Sequence, residues 1–159
     1  MQMAAELHFT RTDSRNPEFQ KLVSHLDAEL AERDGSQHGF YHQFNGLDGL
    51  DRVVLASVDG LVVSCGALKE FEADVLEVKR MYTVPERRGR GLAGRLLHEL
   101  EQWAAEDGYA TIVLETGRRQ PEAIGMYTKQ GYLQRENYGP YIGVANSVCF
   151  EKRLHTNRE

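Results

Sequence analysis

The stretch from Val75 to Ala104 constrains the fold of this chain most. It combines a strand-like run (VLEVKRMYTV), a charged turn (PERRGRG) and a helical segment (LAGRLLHELEQWA). The first backbone N–H groups of a helix have no intrahelical partners and lie at the positive end of the helix dipole. A turn rich in glycine and arginine at that end therefore predicts a phosphate-binding site at a strand-to-helix junction.

The segments around this stretch predict a mixed α/β fold. Two β-rich runs, Arg52 to Val58 and Leu61 to Lys69, are joined by Asp59-Gly60, a two-residue hairpin signal. After a third strand (Val75 to Val84), apolar residues follow the helical period from Gly91 to Asp107, and a strand from Tyr109 to Glu115 returns. The two strands flanking this helix should be parallel, with a right-handed crossover. The other predicted elements are a strand at Glu6 to Thr12, a helix from Pro17 to about Asp34, a helix at Glu122 to Lys129, and strands at Tyr132 to Arg135 and Ser147 to Leu154.

Composition limits the classes of protein that fit. The 159 residues, 41% hydrophobic and 27% charged, are typical of a single globular domain, here taken as residues 1–159. Apolar runs are far shorter than the roughly 20 residues that span a bilayer, and the N-terminus has no secretory pattern. We therefore expect a cytoplasmic protein with no membrane partner. A net charge of −5 argues against general nucleic-acid binding.

Cysteine and histidine usage does not predict a metal site. Cys65 and Cys149 lie in apolar, strand-like contexts, which favours buried free thiols. His38 and His42 have i,i+4 spacing, but no acidic or third ligand accompanies them. These histidines belong to an aromatic, glycine-containing segment, Ser36 to Leu50. It could cover a substrate, or its aromatics could pack beneath an ordinary connection.

Two motifs resemble those of a known family. Arg88, Gly91 and Ala93 fit the pattern Arg/Gln-x-x-Gly-x-Gly/Ala, which resembles the acyl-CoA pyrophosphate loop of the GNAT (Gcn5-related N-acetyltransferase) family. Gln120 to Tyr132 (QPEAIGMYTKQGY) resembles the family's next signature, Asn-x-x-Ala-x-x-Leu-Tyr followed by Gly-Phe/Tyr, with Gln120 in place of the Asn. Together they span roughly Val75 to Tyr132.

The resemblance implies a fold and an activity. The fold is a mixed, mainly antiparallel sheet flanked by helices, with a β-α-β acyl-CoA-binding core. The activity is acetyl-CoA-dependent N-acetyl transfer, directly and without a metal, to a primary amine of a small molecule or peptide. A homodimer is left open.

The resemblance also assigns cofactor contacts. Backbone groups of Met81, Thr83 and Val84 would pair with the pantetheine arm as an added strand does, and the turn would hold the pyrophosphate. Glycines in the turn allow close backbone approach, and arginines supply charge. The residues assigned to the cofactor are Met81, Tyr82, Thr83, Val84, Arg87, Arg88, Gly89, Arg90, Gly91, Leu92, Ala93 and Gln120.

Two residues are candidates for catalysis. Tyr127 occupies the tyrosine position of the second signature and would, by resemblance, protonate the CoA thiolate; alternatively it packs in the core. Glu77 precedes Arg88 by eleven residues, the spacing of the catalytic glutamate in histone acetyltransferases of the family, and would act as the general base directly or through water. Alternatives are water alone, or Glu115 at the end of the next strand.

Strand alternation complicates the assignment of Glu77. It places Glu77, Lys79 and Met81 on one face of the strand, opposite the face of the intervening residues Val78, Arg80 and Tyr82. Since a neighbouring lysine stabilises a carboxylate, Glu77 could instead form a structural ion pair with Lys79.

Two other functions are alternatives to acetyl transfer. Gly89 to Gly94 matches Gly-x-Gly-x-x-Gly, which is typical of dinucleotide-binding oxidoreductases. However, the preceding strand carries Glu77, Lys79 and Arg80 and is separated from Gly89 by four residues, whereas such sites follow directly on an apolar strand. A non-catalytic acyl-CoA sensor is a further alternative. The turn-rich segment NYGPYIGVAN could form a pocket rim or a plain connection.

Overall fold

The computed structural model describes residues 6–35 and 46–155. The predicted segment Ser36 to Leu50, with His38 and His42, lies largely outside them. Short 3-10 turns occupy Pro85–Arg87 and Gly139–Tyr141. In chain order the helices and strands are β1 (Leu7–Thr12), α1 (Pro17–Asp34), β2 (Arg52–Val58), β3 (Leu61–Glu72), β4 (Val75–Thr83), α2 (Leu92–Glu106), β5 (Thr111–Gly117), α3 (Pro121–Lys129), β6 (Leu133–Arg135) and β7 (Ser147–Arg153).

The described strands form one seven-stranded sheet in the order β1-β2-β3-β4-β5-β7-β6. Among these strands, β4 and β5 are the parallel neighbours, and the other adjacent pairs are antiparallel. The sheet therefore confirms the predicted fold class, a mixed and mainly antiparallel sheet with flanking helices. It also confirms that the strands before and after α2 are parallel.

Helix α1 covers one face of the sheet. It begins where the Asn16 side chain accepts hydrogen bonds from the backbone N–H groups of Glu18 and Phe19, and it ends at Gly35, whose φ is 56°. Its apolar stripe, including Phe19 and Leu22, packs against strand residues such as Cys65. A further cluster continues this face beyond α1 and contains Val113, Tyr138, Tyr141 and Cys149.

Helices α2 and α3 cover the opposite face. Leu96, Leu97 and Leu100 of α2 are fully buried and pack with Ile112 and Leu114 of β5. The three leucines of α2 follow the helical period, which is why the sequence predicted this helix.

The two cysteines are free and buried, as predicted. Burial raises the pKa of the Cys65 thiol to about 12, so this thiol stays protonated near neutral pH.

A β-bulge interrupts β4. Cys65 pairs with Tyr82 and Ala67 pairs with Lys79, so Gly66 alone lies opposite both Arg80 and Met81. Arg80 has a φ of 60° at this point. A Cβ atom at Gly66 would overlap the Met81 sulfur, so a larger residue there would displace the Met81 side chain.

The bulge overturns the predicted alternation along β4. Met81 packs with the cluster beneath α2, as Val78 does, whereas Tyr82 packs beneath α1 and Arg80 also reaches α1. The prediction that Met81 shares a face with Glu77 and Lys79 is therefore wrong, and so is the prediction that Arg80 and Tyr82 share a face with Val78. The extra residue shifts the two-residue period of the strand by one position.

Candidate active site

A cleft opens where β4 and β5 separate. The two strands are paired only from Val75 opposite Thr111 to Glu77 opposite Val113. Beyond this point β5 continues to pair with β7, while β4 enters its bulge. The resulting cleft has a volume of about 530 Å³ and is lined by residues from both faces of the sheet.

The cleft brings together most of the predicted site residues. Glu77 and Tyr127 line it, as do all the predicted cofactor residues except Val84 and Arg90. Sequence reasoning missed the contribution of α1, whose residues Leu26 and Leu30 also line the cleft. Other lining residues that it did not assign to the site include Glu29, Arg33 and Met126.

The turn from Pro85 to Gly91, called the glycine turn below, places the N-terminus of α2 at the cleft. Gly89 and Gly91 have φ values of 78° and 77°, a left-handed conformation that glycine adopts without the Cβ penalty. Gly91 is the N-cap residue, and no side chain of the described residues caps the helix. Because α2 begins its backbone ladder with the bond from Arg95 N–H to the Gly91 carbonyl, the N–H groups before it are available to an anion.

The arginines of the turn have different roles. Arg88 donates two 2.8 Å hydrogen bonds to the Glu29 carboxylate, and its Nε donates to the Thr83 carbonyl at 2.8 Å. Its guanidinium holds the pKa of Glu29 below the ordinary value. Arg88 therefore links the turn to α1 and β4. Its positive charge, which sequence analysis assigned to the pyrophosphate, is already paired with the Glu29 carboxylate. Arg87 and Arg90 make no ion pair within the described part of the chain.

The edge of β4 beyond Glu77 is not paired with β5. Met81 and Thr83 line the cleft along this edge. Val84 does not fit its predicted contact, because its N–H donates to the Val63 carbonyl and its own carbonyl accepts from the Arg87 N–H, both at 2.9 Å. The edge open to an added strand is therefore shorter than the sequence indicated.

Glu77 is held in a network at the inner end of the cleft. Its Oε2 accepts a 2.6 Å hydrogen bond from the Tyr138 hydroxyl and lies 3.6 Å from Lys79 Nζ. Lys79 in turn donates to the Tyr141 hydroxyl at 3.1 Å. The ion pair with Lys79 that the sequence left as an alternative is thus present. Burial, followed by the negative charge of Glu77, raises the pKa of Tyr138, which keeps this hydroxyl protonated.

The loop between β6 and β7 supplies both tyrosines of this network. Tyr138 precedes the 3-10 turn and Tyr141 ends it, and Tyr141 lines the cleft. The segment NYGPYIGVAN therefore contributes to the rim of a pocket. No local sequence pattern could indicate the hydrogen bond from Tyr138 to Glu77, because the two residues lie 61 positions apart in the chain.

Tyr127 projects from α3 onto the wall of the cleft. Its ring packs near those of Tyr132 and Phe150, with centroid distances of 5.8 and 6.3 Å. Its hydroxyl forms no hydrogen bond with any described residue. Burial raises its pKa above the ordinary value and the charge of Glu115 adds to this effect, so the hydroxyl is a neutral proton donor near neutral pH.

The remaining predicted site residues lie near the C-terminal end of β5 and at the start of α3. Glu115 lines the cleft and accepts a 2.6 Å hydrogen bond from the Ser147 hydroxyl. Gln120 occupies the N-cap position of α3 without capping it through its side chain, and it too lines the cleft.

The described residues contain neither a metal-binding cluster nor a membrane-spanning helix. Within residues 6–35 and 46–155, no group of three or more histidine, cysteine, aspartate or glutamate side chains is arranged to hold a metal ion. No helix in this part of the chain is long and apolar enough to cross a membrane.

Comparison with known proteins identifies the family. Residues 13–132 match the model of the Acetyltransferase (GNAT) family. An IAA acetyltransferase from Azospirillum brasilense is 39% identical over 136 residues, which cover 84% of this chain and 89% of the relative. A Klebsiella pneumoniae crystal structure, provisionally assigned as an acyl-CoA N-acyltransferase, aligns with a TM-score of 0.79 and 33% identity over 94% of this chain and 98% of its own.

The fold is also shared with a protein that binds coenzyme A. An N-acetyltransferase from Thermoplasma acidophilum, solved in complex with coenzyme A, aligns with a TM-score of 0.66 at 16% identity over 94% of this chain and 99% of its own. Residues 13–132, which match the family model, contain β4, the glycine turn and α2. The Gly-x-Gly-x-x-Gly pattern therefore does not indicate a dinucleotide-binding oxidoreductase. This chain belongs to the GNAT family of acyl-CoA-dependent acetyltransferases.

Proposed function

We propose that this enzyme transfers an acetyl group from acetyl-CoA directly to a primary amine of a small molecule. The observation that carries the proposal is that one cleft is lined by an uncapped helix N-terminus, a neutral tyrosine hydroxyl at Tyr127 and a carboxylate at Glu77. The resemblance to an IAA acetyltransferase over most of both chains supports a small-molecule acceptor.

The outer part of the cleft fits the cofactor. The backbone N–H groups at the start of α2, together with Arg87, would hold the pyrophosphate. The unpaired edge of β4 at Met81 and Thr83 would pair with the amide groups of the pantetheine arm. Acetyl-CoA supplies the activated acyl group as a thioester.

The inner part of the cleft fits the chemistry. The acceptor nitrogen attacks the thioester carbonyl carbon, so a C–N bond forms and the C–S bond breaks. Glu77 takes the proton that the amine loses, directly or through water, and Tyr127 gives its proton to the departing thiolate. Backbone N–H groups on the free edge of β4 would stabilise the charge that develops on the carbonyl oxygen. The products are an N-acetylated amine and the CoA thiol.

Two measurements test the proposal. Calorimetry with CoA, acetyl-CoA, NAD and FAD should detect binding of the two CoA compounds only. Incubation with acetyl-CoA and a panel of small amines, followed by mass spectrometry, should detect a product heavier by one acetyl group. Binding of CoA without acetylation of any amine would contradict the transfer reaction and favour a sensor.

A further inference from the structure

Arg80 has a backbone conformation that is costly for a side-chain-bearing residue. It lies in the β4 bulge with a φ of 60°, in the left-handed region that residues other than glycine seldom adopt. Such strain persists where the surrounding structure imposes it, and it is concentrated at binding and catalytic sites. Arg80 also lines the cleft, next to the Glu77 network.

Only part of the hydrogen-bonding capacity of the Arg80 guanidinium is used by the described residues. The residue is 5% exposed, and its Nη2 donates to the Val23 carbonyl and to the Asp27 carboxylate of α1. Its Nε is buried and has no hydrogen-bond partner in the described part of the chain. Buried donors without partners are rare because each sacrifices its interaction with water. An acceptor atom supplied by a bound molecule would satisfy it.

The position of Arg80 suits the amine substrate better than the cofactor. Its side chain reaches α1, whereas the turn and helix N-terminus that suit phosphates are formed by α2 on the other face of the sheet. The surrounding wall includes apolar residues of α1, Leu26 and Leu30. The neighbouring cation, Lys79, is paired with Glu77, and the carboxylate facing Arg80 is Asp27, whose side chain is 34% exposed.

We propose that the acceptor is an amine that also carries a carboxylate, as an amino acid does, and that Arg80 binds this carboxylate. The planar guanidinium matches a carboxylate in shape and charge. The carboxylate would supply the acceptor atom that Nε lacks and would orient the amine towards Glu77. The inference rests on the proposed acetyl transfer and assigns the substrate class of the same site.

The first experiment uses the unmodified protein. Kinetic constants are measured for matched pairs, in which α-, β- and γ-amino acids are each compared with their own amides, with CoA release as the readout. For at least one pair the acid should have a kcat/KM about 10-fold to 100-fold above that of its amide, the range expected for a charge-assisted hydrogen bond.

The outcomes separate this inference from the function on which it rests. If amides or other uncharged amines are acetylated as well as the acids or better, the substrate class is wrong although acetyl transfer stands. If no amine of any class is acetylated, both fail. A carboxylic acid lacking the amine should also compete with the amine substrate, whereas its amide should not. Absence of competition would contradict carboxylate binding.

A pair of variants assigns the preference to Arg80. Arg80→Gln should reduce the acid-to-amide ratio of kcat/KM to about 1 while CoA affinity, measured by calorimetry, stays unchanged. Asp27→Asn breaks the same ion pair but keeps the guanidinium, so it should retain the preference for the acid. Equal loss of the preference in both folded variants would mean that the ion pair is only structural. If Arg80→Gln does not fold, the competition experiment decides alone.

Discussion

The hydroxyl of Tyr138 donates a 2.6 Å hydrogen bond to Glu77 Oε2 and thereby joins the loop before β7 to the middle of β4. Lys79 Nζ lies 3.6 Å from the same oxygen. The carboxylate proposed as the base is therefore held in one orientation by a neutral donor and a cation. Oε1 accepts no hydrogen bond from the described residues and is the oxygen available to a substrate or water.

Replacement of Glu77 tests the base directly. Glu77→Gln keeps the size of the side chain and removes its ability to accept a proton, so kcat/KM should fall by about 100-fold or more. The measurement is CoA release at saturating acetyl-CoA with a varied amine concentration. The matched variant is Glu115→Gln, which alters the other carboxylate considered as the base. If that variant alone loses activity, Glu115 is the base.

Replacement of Tyr138 tests the positioning of Glu77. Tyr138→Phe deletes a buried hydrogen bond to a carboxylate and should lower the free energy of unfolding by about 1–3 kcal/mol. It should also lower kcat. Tyr132→Phe is the control, because Tyr132 donates a comparable 2.9 Å bond to buried Glu101 and does not line the cleft. The control should lose stability but keep its turnover. Equal turnover in the two variants would leave Tyr138 with a structural role only.

Replacement of Tyr127 tests the proton donor. Since its hydroxyl has no hydrogen-bond partner among the described residues, Tyr127→Phe should change stability little. Loss of a positioned acid should lower kcat by about 100-fold, with CoA affinity retained. Because burial raises its pKa above the ordinary value of 10.0, Tyr127 should cause no basic limb below that pH. Full turnover in the variant, when a thioester with another leaving group shows chemistry to be rate-limiting, would reject the role.

The glycine turn can be tested with two matched variants. Gly91 and Gly60 have φ values of 77° and 85°, and a Cβ at either would meet no described atom within 4 Å. Alanine at each should therefore cost a similar amount, about 1–2 kcal/mol of unfolding free energy. Gly91→Ala should also weaken CoA binding measured by calorimetry, whereas Gly60→Ala, in the β2–β3 hairpin, should not. Unchanged affinity in Gly91→Ala would remove the turn from the cofactor site.

The pairing of Arg88 with Glu29 predicts a pH dependence of stability. Arg88 lowers the pKa of Glu29 in the folded protein below 4.5, its ordinary value. The pair should therefore contribute fully above about pH 4.5 and lose its contribution as the pH falls through the lowered value. In urea denaturation, the stability difference between wild type and Glu29→Gln should shrink on acidification. Arg88→Gln should show the same change, and a difference independent of pH would contradict the assignment.

Local sequence patterns were enough to predict most of the elements. The Asp59-Gly60 hairpin, the apolar period of α2 and the ends of α1 at Pro17 and Gly35 all depend on neighbouring residues. The two motifs were also local, and they led to the family that comparison then identified. Strand ends differed by a few residues; β3, for example, extends to Glu72 rather than Lys69.

The sequence by itself determined the fold class, the glycine turn and the residue types available for catalysis, because turn chemistry and periodicity act over a few positions. Tertiary structure decided what those residues contact. The β4 bulge depends on register with Gly66 of β3 and sends Met81 and Arg80 in directions that simple alternation does not predict. The bonds from Tyr138 to Glu77 and from Arg88 to Glu29 span 61 and 59 residues. Such contacts depend on how separate elements pack, and short-range patterns do not encode that packing.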